Sequence, residues 1–482
     1  MSTLDWILWI VSFAIFVFFL IYAVATLALI VLSLLDTALI KIERGEVFTP
    51  PTRLRRPGIS LVVPAYEMEP LIIASVESFL AADYEPFEVV VVDDGSTDGT
   101  REALVRAFDL IDLPVGDRFR IPTAPITHIY VSRRDPRLRV VCKENGGRSD
   151  AINAGLNVAR RQLVAFTDAD SLLERDALKR VGEVFAADPD HVVAVGGTIM
   201  VANGAVVENG MVTQARVSTS GVEATQVGEY LRGFLGSRIA WSRLNGLLII
   251  SGAFGVFRCD LVRDAGGFSH RTLGEDMELV LRLHHELRPA HPRTRVAYAA
   301  DANVWTEVPP ALGPLRGQRV RWHVGLLDNL RLHRGMILRR RFGAVGLLAL
   351  PYSILFEVLG PLLQVAGLAI LALMIALGLA TWWYVAAFVV LAILVGQLQT
   401  AGAILIEEVG FGRYRTRDLM LLAGWCLLET LWYRPLTAAW RVWATVLALL
   451  GRRPGWGSIP RGVAFGGAGE AKDELLAAPL PR

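Results

Sequence analysis

Between Trp6 and Leu35 the sequence is almost unbroken apolar. A helix needs about 20 such residues to cross the hydrocarbon core of a bilayer, where every backbone polar group must be bonded within the segment. The run exceeds the core of a signal peptide, and Asp5 rather than a basic cluster stands in front of it. It reads as an uncleaved anchor over 1–40. Lys41, Arg44, Arg53, Arg55 and Arg56 follow it. By the positive-inside rule, the linker over 41–57 and the middle of the chain are cytoplasmic.

A second apolar block runs from Gly343 to Leu450, preceded by Arg339, Arg340 and Arg341. The gap Gly378–Trp383 lacks charge and leads into Trp382, Trp383 and Tyr384, which reads as external. The gap Glu407–Asp418 carries Arg413, Arg415 and Arg417 and reads as internal. Asp418–Leu450, with Arg434-Pro435 near its middle, reads as a hairpin. The expected layout is one span before the soluble region and four segments after it, over 346–451. An amphipathic interfacial helix over 331–345 comes first, and a flexible tail over 452–482, rich in Gly, Pro and Ala, comes last. Glu357, ionisable within an apolar segment, is a channel or packing residue. A multi-pass protein of the inner (plasma) membrane is expected. Composition agrees, with 53% hydrophobic residues and a net charge of +2, which excludes bulk nucleic-acid binding. The three cysteines, Cys142, Cys259 and Cys426, have neither metal-ligand nor CxxC spacing and read as unpaired thiols.

From Ile59 onward the signals alternate. ISLVVP (59–64), FEVVVVDDG (87–95), LRVVCKEN (138–145), LVAFTDAD (163–170) and VVAVGGTIMV (192–201) read as strands. TREALVRAF (100–108), SDAINAGLNVARR (149–161) and LLERDALKRVGEVFA (172–186) read as helices, the last opened by a Ser171–Glu174 capping box. Residues 109–137, with four prolines, read as an inserted loop. The pattern implies an α/β domain over 58–330, with a mostly parallel sheet covered by helices on both faces and ligands at the carboxyl ends of its strands. Asp93, Asp94, Asp168 and Asp170 fall at such ends.

Four groupings carry chemistry, each beside a plainer reading. Asp168-Ala169-Asp170 suits a hard divalent cation, Mg²⁺ or Mn²⁺, or is a pair of turn carboxylates. Asp93-Asp94-Gly95-Ser96 either accepts hydrogen bonds from a base or ribose, or is a strand-to-helix turn with Ser96 or Asp98 as cap. Glu275 and Asp276 open the helix MELVLRLHHEL. One of them is a general base, or both are acids favoured by the helix dipole. In Gln318-Arg319-Val320-Arg321-Trp322, Gln318, Arg321 and Trp322 can share one helix face. Arg321 could clamp a diphosphate and Trp322 could carry a sugar ring, or the stretch is a basic juxtamembrane helix. His284 and His285 are expected to be solvated or structural.

In order, ISLVVPAY, VVVVDDGSTDGT, ENGGRSDAINAG, TDADS, SGAFGVFR, GEDMEL and QRVRW resemble the membrane-embedded, processive family-two inverting glycosyltransferases, which include cellulose, chitin, hyaluronan and poly-N-acetylglucosamine synthases. The likeness covers about Ile59 to Arg331. It implies a GT-A fold, a nucleotide-sugar donor, usually a UDP-sugar, and a divalent metal. By position it implies that Tyr66 and Asp94 contact uracil and ribose, with Asp93 beside them. It further implies that Arg148 lies near the nucleotide and Asp168 near the diphosphate, that Asp170 binds Mg²⁺ or Mn²⁺, and that Asp276 deprotonates the acceptor with Glu275 adjacent. Gln318, Arg321 and Trp322 would hold diphosphate and acceptor. The acceptor is a growing β-linked polysaccharide, exported through the bilayer, or in the alternative a lipid that receives one sugar. Three positions depart from the family's habit: Glu67 replaces an Asn, Arg148 a Lys and Gly274 a Thr.

Overall fold

The computed structural model describes residues 3–45, 56–116, 119–208 and 210–455. The tail from 456 and most of the 41–57 linker lie outside them. Two units form, one from 56–218 and 248–308, the other from 3–45, 219–247 and 309–455.

Runs of β-branched residues fix the centre of the first unit. Strands β1 (Ile59–Ala65), β2 (Phe87–Asp93), β3 (Leu110–Leu113), β4 (Ile126–Ser132), β5 (Leu138–Lys143), β6 (Leu163–Thr167), β7 (Leu172–Leu173) and β8 (Val192–Val201) come first. β9 (Val206–Glu208) and β10 (Met211–Gln214) make a separate hairpin, and β11 (Phe254–Arg258) and β12 (Arg295–Thr306) complete the set. The main sheet has ten strands in the order β3-β4-β5-β2-β1-β6-β11-β8-β12-β7. Parallel pairing joins β5, β2, β1 and β6, and again β8 with β12, while β11 runs antiparallel between β6 and β8. β4 and β7 also oppose their neighbours, so the sheet is mixed but most strands share one direction. Every residue of β2 is buried. Since successive side chains point to opposite faces, both faces of that strand are covered. The helix Arg148–Val158 lies hard against the sheet at Gly155, where a Cβ would meet Val62 Cγ1 at 2.3 Å.

Three expectations change. The insert 109–137 is not simply a loop, because β3 and β4 within it extend the sheet beyond β5. The Ser171–Glu174 capping box is absent. Leu172–Leu173 pair with β12, and the helix starts at Ala177. Glu174 instead accepts hydrogen bonds from Asn303 Nδ2 (2.8 Å) and Trp305 Nε1 (2.9 Å). The span 58–330 is also not one body, since 219–247 and 309–330 belong to the second unit.

In that second unit, Thr3–Lys41, Val345–Ala376 and Trp382–Gly410 are long and apolar enough to cross a membrane. The first and third pack closely: a Cβ on Gly402 would lie 2.5 Å from Ile30 Cγ2, and Lys41 Nζ donates to the Val409 carbonyl at 2.8 Å. Residues 331–345 hold the last turn of the helix Leu312–Leu332 and two single 3₁₀ turns rather than the expected interfacial helix. The expected hairpin 418–450 forms helices Thr416–Glu429 and Tyr433–Leu449, of 14 and 17 residues. Each is shorter than the ~20 residues of a straight crossing. Glu429 at their junction is buried and takes hydrogen bonds from Arg232 Nη2 (2.6 Å) and Arg434 Nε (2.9 Å).

Glu174→Ala leaves two donors of β12 without an acceptor. It should destabilise the purified full-length protein by about 2 kcal/mol, read from urea denaturation, while Glu174→Gln, which keeps one acceptor oxygen, should lose less.

Candidate active site

Arg148, the first residue of its helix, forks to three places. Nε and Nη2 donate to Asp168 Oδ1 at 3.0 and 2.8 Å, Nη1 to Glu275 Oε1 at 2.6 Å, and Nη2 to the Gly252 carbonyl at 2.7 Å. One guanidinium therefore links the turn after β6, the loop before β11 and the start of the helix Glu275–Leu287. Burial works against its charge, and the Asp168 and Glu275 carboxylates outweigh that, so it stays protonated.

Gly252 passes the link on. Its N–H donates to Asp276 Oδ2 at 3.0 Å, and Met277 N–H donates to Asp276 Oδ1 at 2.8 Å. Burial, with the Glu275 charge adding to it, still raises the Asp276 carboxyl to about 6. Each of its oxygens retains a lone-pair direction for a further proton or donor. A half-buried carboxylate tuned toward neutrality is suited to accepting a proton. Glu275 is engaged by Arg148, so the geometry separates two acids that their residue pattern left equivalent and that only the family resemblance told apart.

Asp168 is partly exposed and Asp170 half-buried, on either side of buried Ala169. Among the described residues no group of three or more His, Cys, Asp or Glu forms a metal cage. Two carboxylates at a strand end still fit a hard cation that takes one or two protein oxygens and completes its shell with substrate phosphates and water, as Mg²⁺ does.

Asp94 is buried and heavily engaged. Oδ1 accepts from Lys143 Nζ (2.5 Å) and Gly146 N–H (3.1 Å), and Oδ2 from Gly147 N–H (2.8 Å). Lys143 has no exposed side-chain surface and also pairs with Asp150 at 2.8 Å. Gly95 lets the chain turn here. It has φ +73°, and a Cβ would lie 2.7 Å from the Asn145 nitrogen. Asp93 accepts from Ser96 N–H at 3.1 Å, and burial raises its carboxyl. Tyr66 is 45% exposed, its phenol raised by the adjacent Glu67 carboxylate. Lys143 and Gly252 were missed in the sequence. A lysine closing the buried run LRVVC was the available signal for the first, while the second acts only through its backbone.

Gln318, Arg321 and Trp322 lie in the second unit, on the helix Leu312–Leu332. Gln318 and Arg321 are half-buried and Trp322 is exposed, whereas Arg319 and Val320 are buried. The first three share the more accessible side of that helix, as their spacing implies. His284 is fully buried and His285 exposed. The three cysteines are buried and unpaired.

The chain is 26% identical over 268 residues to poly-beta-1,6-N-acetyl-D-glucosamine synthase of Staphylococcus aureus, covering 56% of this chain and 54% of that protein. It is 30% identical over 250 residues to an uncharacterized protein of Sinorhizobium fredii, covering 50% of this chain and 22% of that one. The chain thus spans about half the length of the synthases it matches. Among solved structures, a mannosyltransferase from Pyrobaculum calidifontis in complex with GDP-Man and Mn²⁺ aligns with a TM-score of 0.47 and 20% identity, over 89% of this chain and 99% of that one. Residues 1–349 of S. aureus TarS in complex with UDP-GlcNAc align with a TM-score of 0.37 and 17% identity, over 77% and 91%. The profile of Glycosyl transferase family 2 matches residues 60–265, and that of Glycosyl transferase family group 2 matches 163–397. The chain carries a glycosyl transferase family 2 domain over residues 60–265.

Proposed function

We propose that this glycosyltransferase moves a sugar from a UDP-sugar onto a growing β-linked polysaccharide, at the cytoplasmic face of an inner membrane that it crosses several times. The supporting observation is the cluster in which Arg148 joins Asp168 to Glu275 while Gly252 presents Asp276 as the remaining base. The similarity to poly-beta-1,6-N-acetyl-D-glucosamine synthase makes N-acetylglucosamine the first donor sugar to test.

In this reading Asp276 takes the proton of the acceptor hydroxyl as that oxygen attacks the anomeric carbon. A single base and direct displacement invert the centre, so an α-linked donor gives a β-linked product. Asp170 would hold Mg²⁺ or Mn²⁺, with Asp168 beside it; when bound, the ion neutralises charge on the leaving diphosphate. Tyr66 offers its exposed ring to the base, and Asp94 keeps room on Oδ2 for one more donor, such as a ribose hydroxyl. Asp93 holds the turn that presents both. Gln318, Arg321 and Trp322 supply contacts to diphosphate and acceptor, and the three apolar helices hold the enzyme in the bilayer and line an export path.

Purified protein in lipid nanodiscs, given UDP-N-acetylglucosamine, UDP-glucose, UDP-glucuronate or UDP-galactose with Mn²⁺ or Mg²⁺, should release UDP from one donor and build a ladder of lengthening chains. A single-addition product would replace this reading with transfer to a lipid, and no turnover with any donor would overturn it. Asp276→Asn should lower kcat by on the order of 10²- to 10⁴-fold. Because the carboxylate works deprotonated and its pKa lies near 6, kcat/KM should rise with pH through an acid limb at about that value and level off above it. Arg148 lowers the Asp276 pKa. Arg148→Gln should therefore move the limb to higher pH, whereas Arg148→Lys keeps the charge and should leave the limb in place. Arg148→Lys still loses the three-way fork, and kcat should fall about 10- to 100-fold.

A further inference from the structure

In the QRVRW segment the arginine at 319 has no assigned role, yet it is buried at a cost. Its side chain is 1% exposed. Nη2 donates to Glu229 Oε2 at 2.7 Å, and the Tyr433 hydroxyl donates to the same oxygen at 2.6 Å. Nε and Nη1 are buried with no hydrogen-bond partner among the described residues. A buried arginine that leaves donors unpaired is a poor way to stabilise a helix contact, and an apolar residue of similar volume would serve stability better. One further contact accounts for its retention. The guanidinium carbon lies 4.3 Å from the centroid of the Trp322 ring, three residues on along the same helix face. Trp322 itself is 50% exposed. The indole is thus backed by a fixed cation while half of its surface is exposed.

We propose that Arg319, Glu229 and Tyr433 are positioning residues that hold the Trp322 ring in one orientation for a sugar of the acceptor chain. The guanidinium over the ring limits how the indole can turn. Glu229 fixes the guanidinium, and the Tyr433 hydroxyl fixes Glu229, so three helices (Gly221–Gly233, Leu312–Leu332 and Tyr433–Leu449) each contribute one member. A pre-set aromatic platform lowers the ordering cost of binding a pyranose ring. The part played by Trp322 rests on the polysaccharide-synthase reading above.

The test uses full-length protein in nanodiscs, labelled with 5-fluorotryptophan, the Trp322 ¹⁹F line being assigned by its loss in Trp322→Phe. Wild type should give one narrow line, and Arg319→Lys and Tyr433→Phe should broaden or split it; an unchanged line overturns the proposal whether or not the enzyme turns over. With UDP-N-acetylglucosamine, Mn²⁺ and a β-1,6-linked N-acetylglucosamine oligomer as acceptor, each substitution should raise the acceptor KM about tenfold, leaving donor KM within about twofold. In a Trp322→Ala background the same substitutions should add nothing, because they act through that ring. Additive losses in that background, or parallel losses in both KM values, would make the three residues merely structural. Tyr433→Phe, which removes only one hydroxyl, keeps the test available should Arg319→Lys fail to fold. Should wild type turn over none of the donors while the ¹⁹F lines respond as expected, the enzymatic reading and the sugar-platform role fail, while the fixing of the ring by the three residues stands.

Discussion

The three-way fork of Arg148 is what makes the ends of separate elements into one site. Asp168 sits after β6, Gly252 before β11 and Glu275 at the head of a helix more than one hundred residues beyond Arg148 in sequence. A lysine ammonium could satisfy one or two of these partners as a point charge. A planar guanidinium with five donors can address all three in a fixed geometry. The rigid support behind it is the packing of its helix on β1 through Gly155, which sets how far the N-terminus projects past the strand ends.

The same group of residues is electrostatically unbalanced, and that imbalance has chemical content. Asp168, Glu275 and Asp276 gather around the Arg148 guanidinium in a partly desolvated site. A nucleotide diphosphate would add further negative charge, which such a site can accept only with a cation beside it. The raised pKa of Asp276 follows first from burial and then from the Glu275 charge beside it. Glu275 takes the hydrogen bond from Arg148, and its carboxylate adds to burial in disfavouring ionisation of Asp276. Two adjacent acids are thus held differently by one arginine, which hydrogen-bonds only the first.

Periodicity was enough to read the parallel centre of the sheet, because strands buried on both faces must be continuous apolar runs. It failed where tertiary partners decided the outcome. Ser171–Glu174 has the local form of a helix cap, but Trp305 and Asn303, about 130 residues away, claim the Glu174 carboxylate and pull Leu172–Leu173 into the sheet. The prolines of 109–137 suggest a loop, and four of them do lie there, yet the segments between them are free to add at a sheet edge. In the site, the acidic residues were visible as strand-end and helix-start carboxylates. Which of Glu275 and Asp276 a neighbour engages was not, since it depends on a backbone amide at Gly252 and on the reach of Arg148; only the family resemblance told the two acids apart. Nor could pattern alone separate 219–247 and 309–330 from the α/β domain, because amphipathic helices look alike whichever body they join.

The departures from the family's usual residues make sense together rather than singly. Glu67 occupies left-handed backbone at φ +51°, a conformation that Asn tolerates better than Glu. It is held there by Ser96 Oγ, which accepts from its N–H, and by Thr97 Oγ1, which donates to its carboxylate. The long side chain thus brings its own fastening to the loop after β1. Gly274 supplies no side-chain cap to the helix whose second residue is the candidate base, whereas a threonine there could cap it. Arg148 restores the lost constraint one residue later by holding Glu275 from outside the helix. A Thr paired with a Lys, and a Gly paired with an Arg, are in this view two ways of fixing the same helix start, one by a local hydroxyl and the other by a cation brought in by the fold.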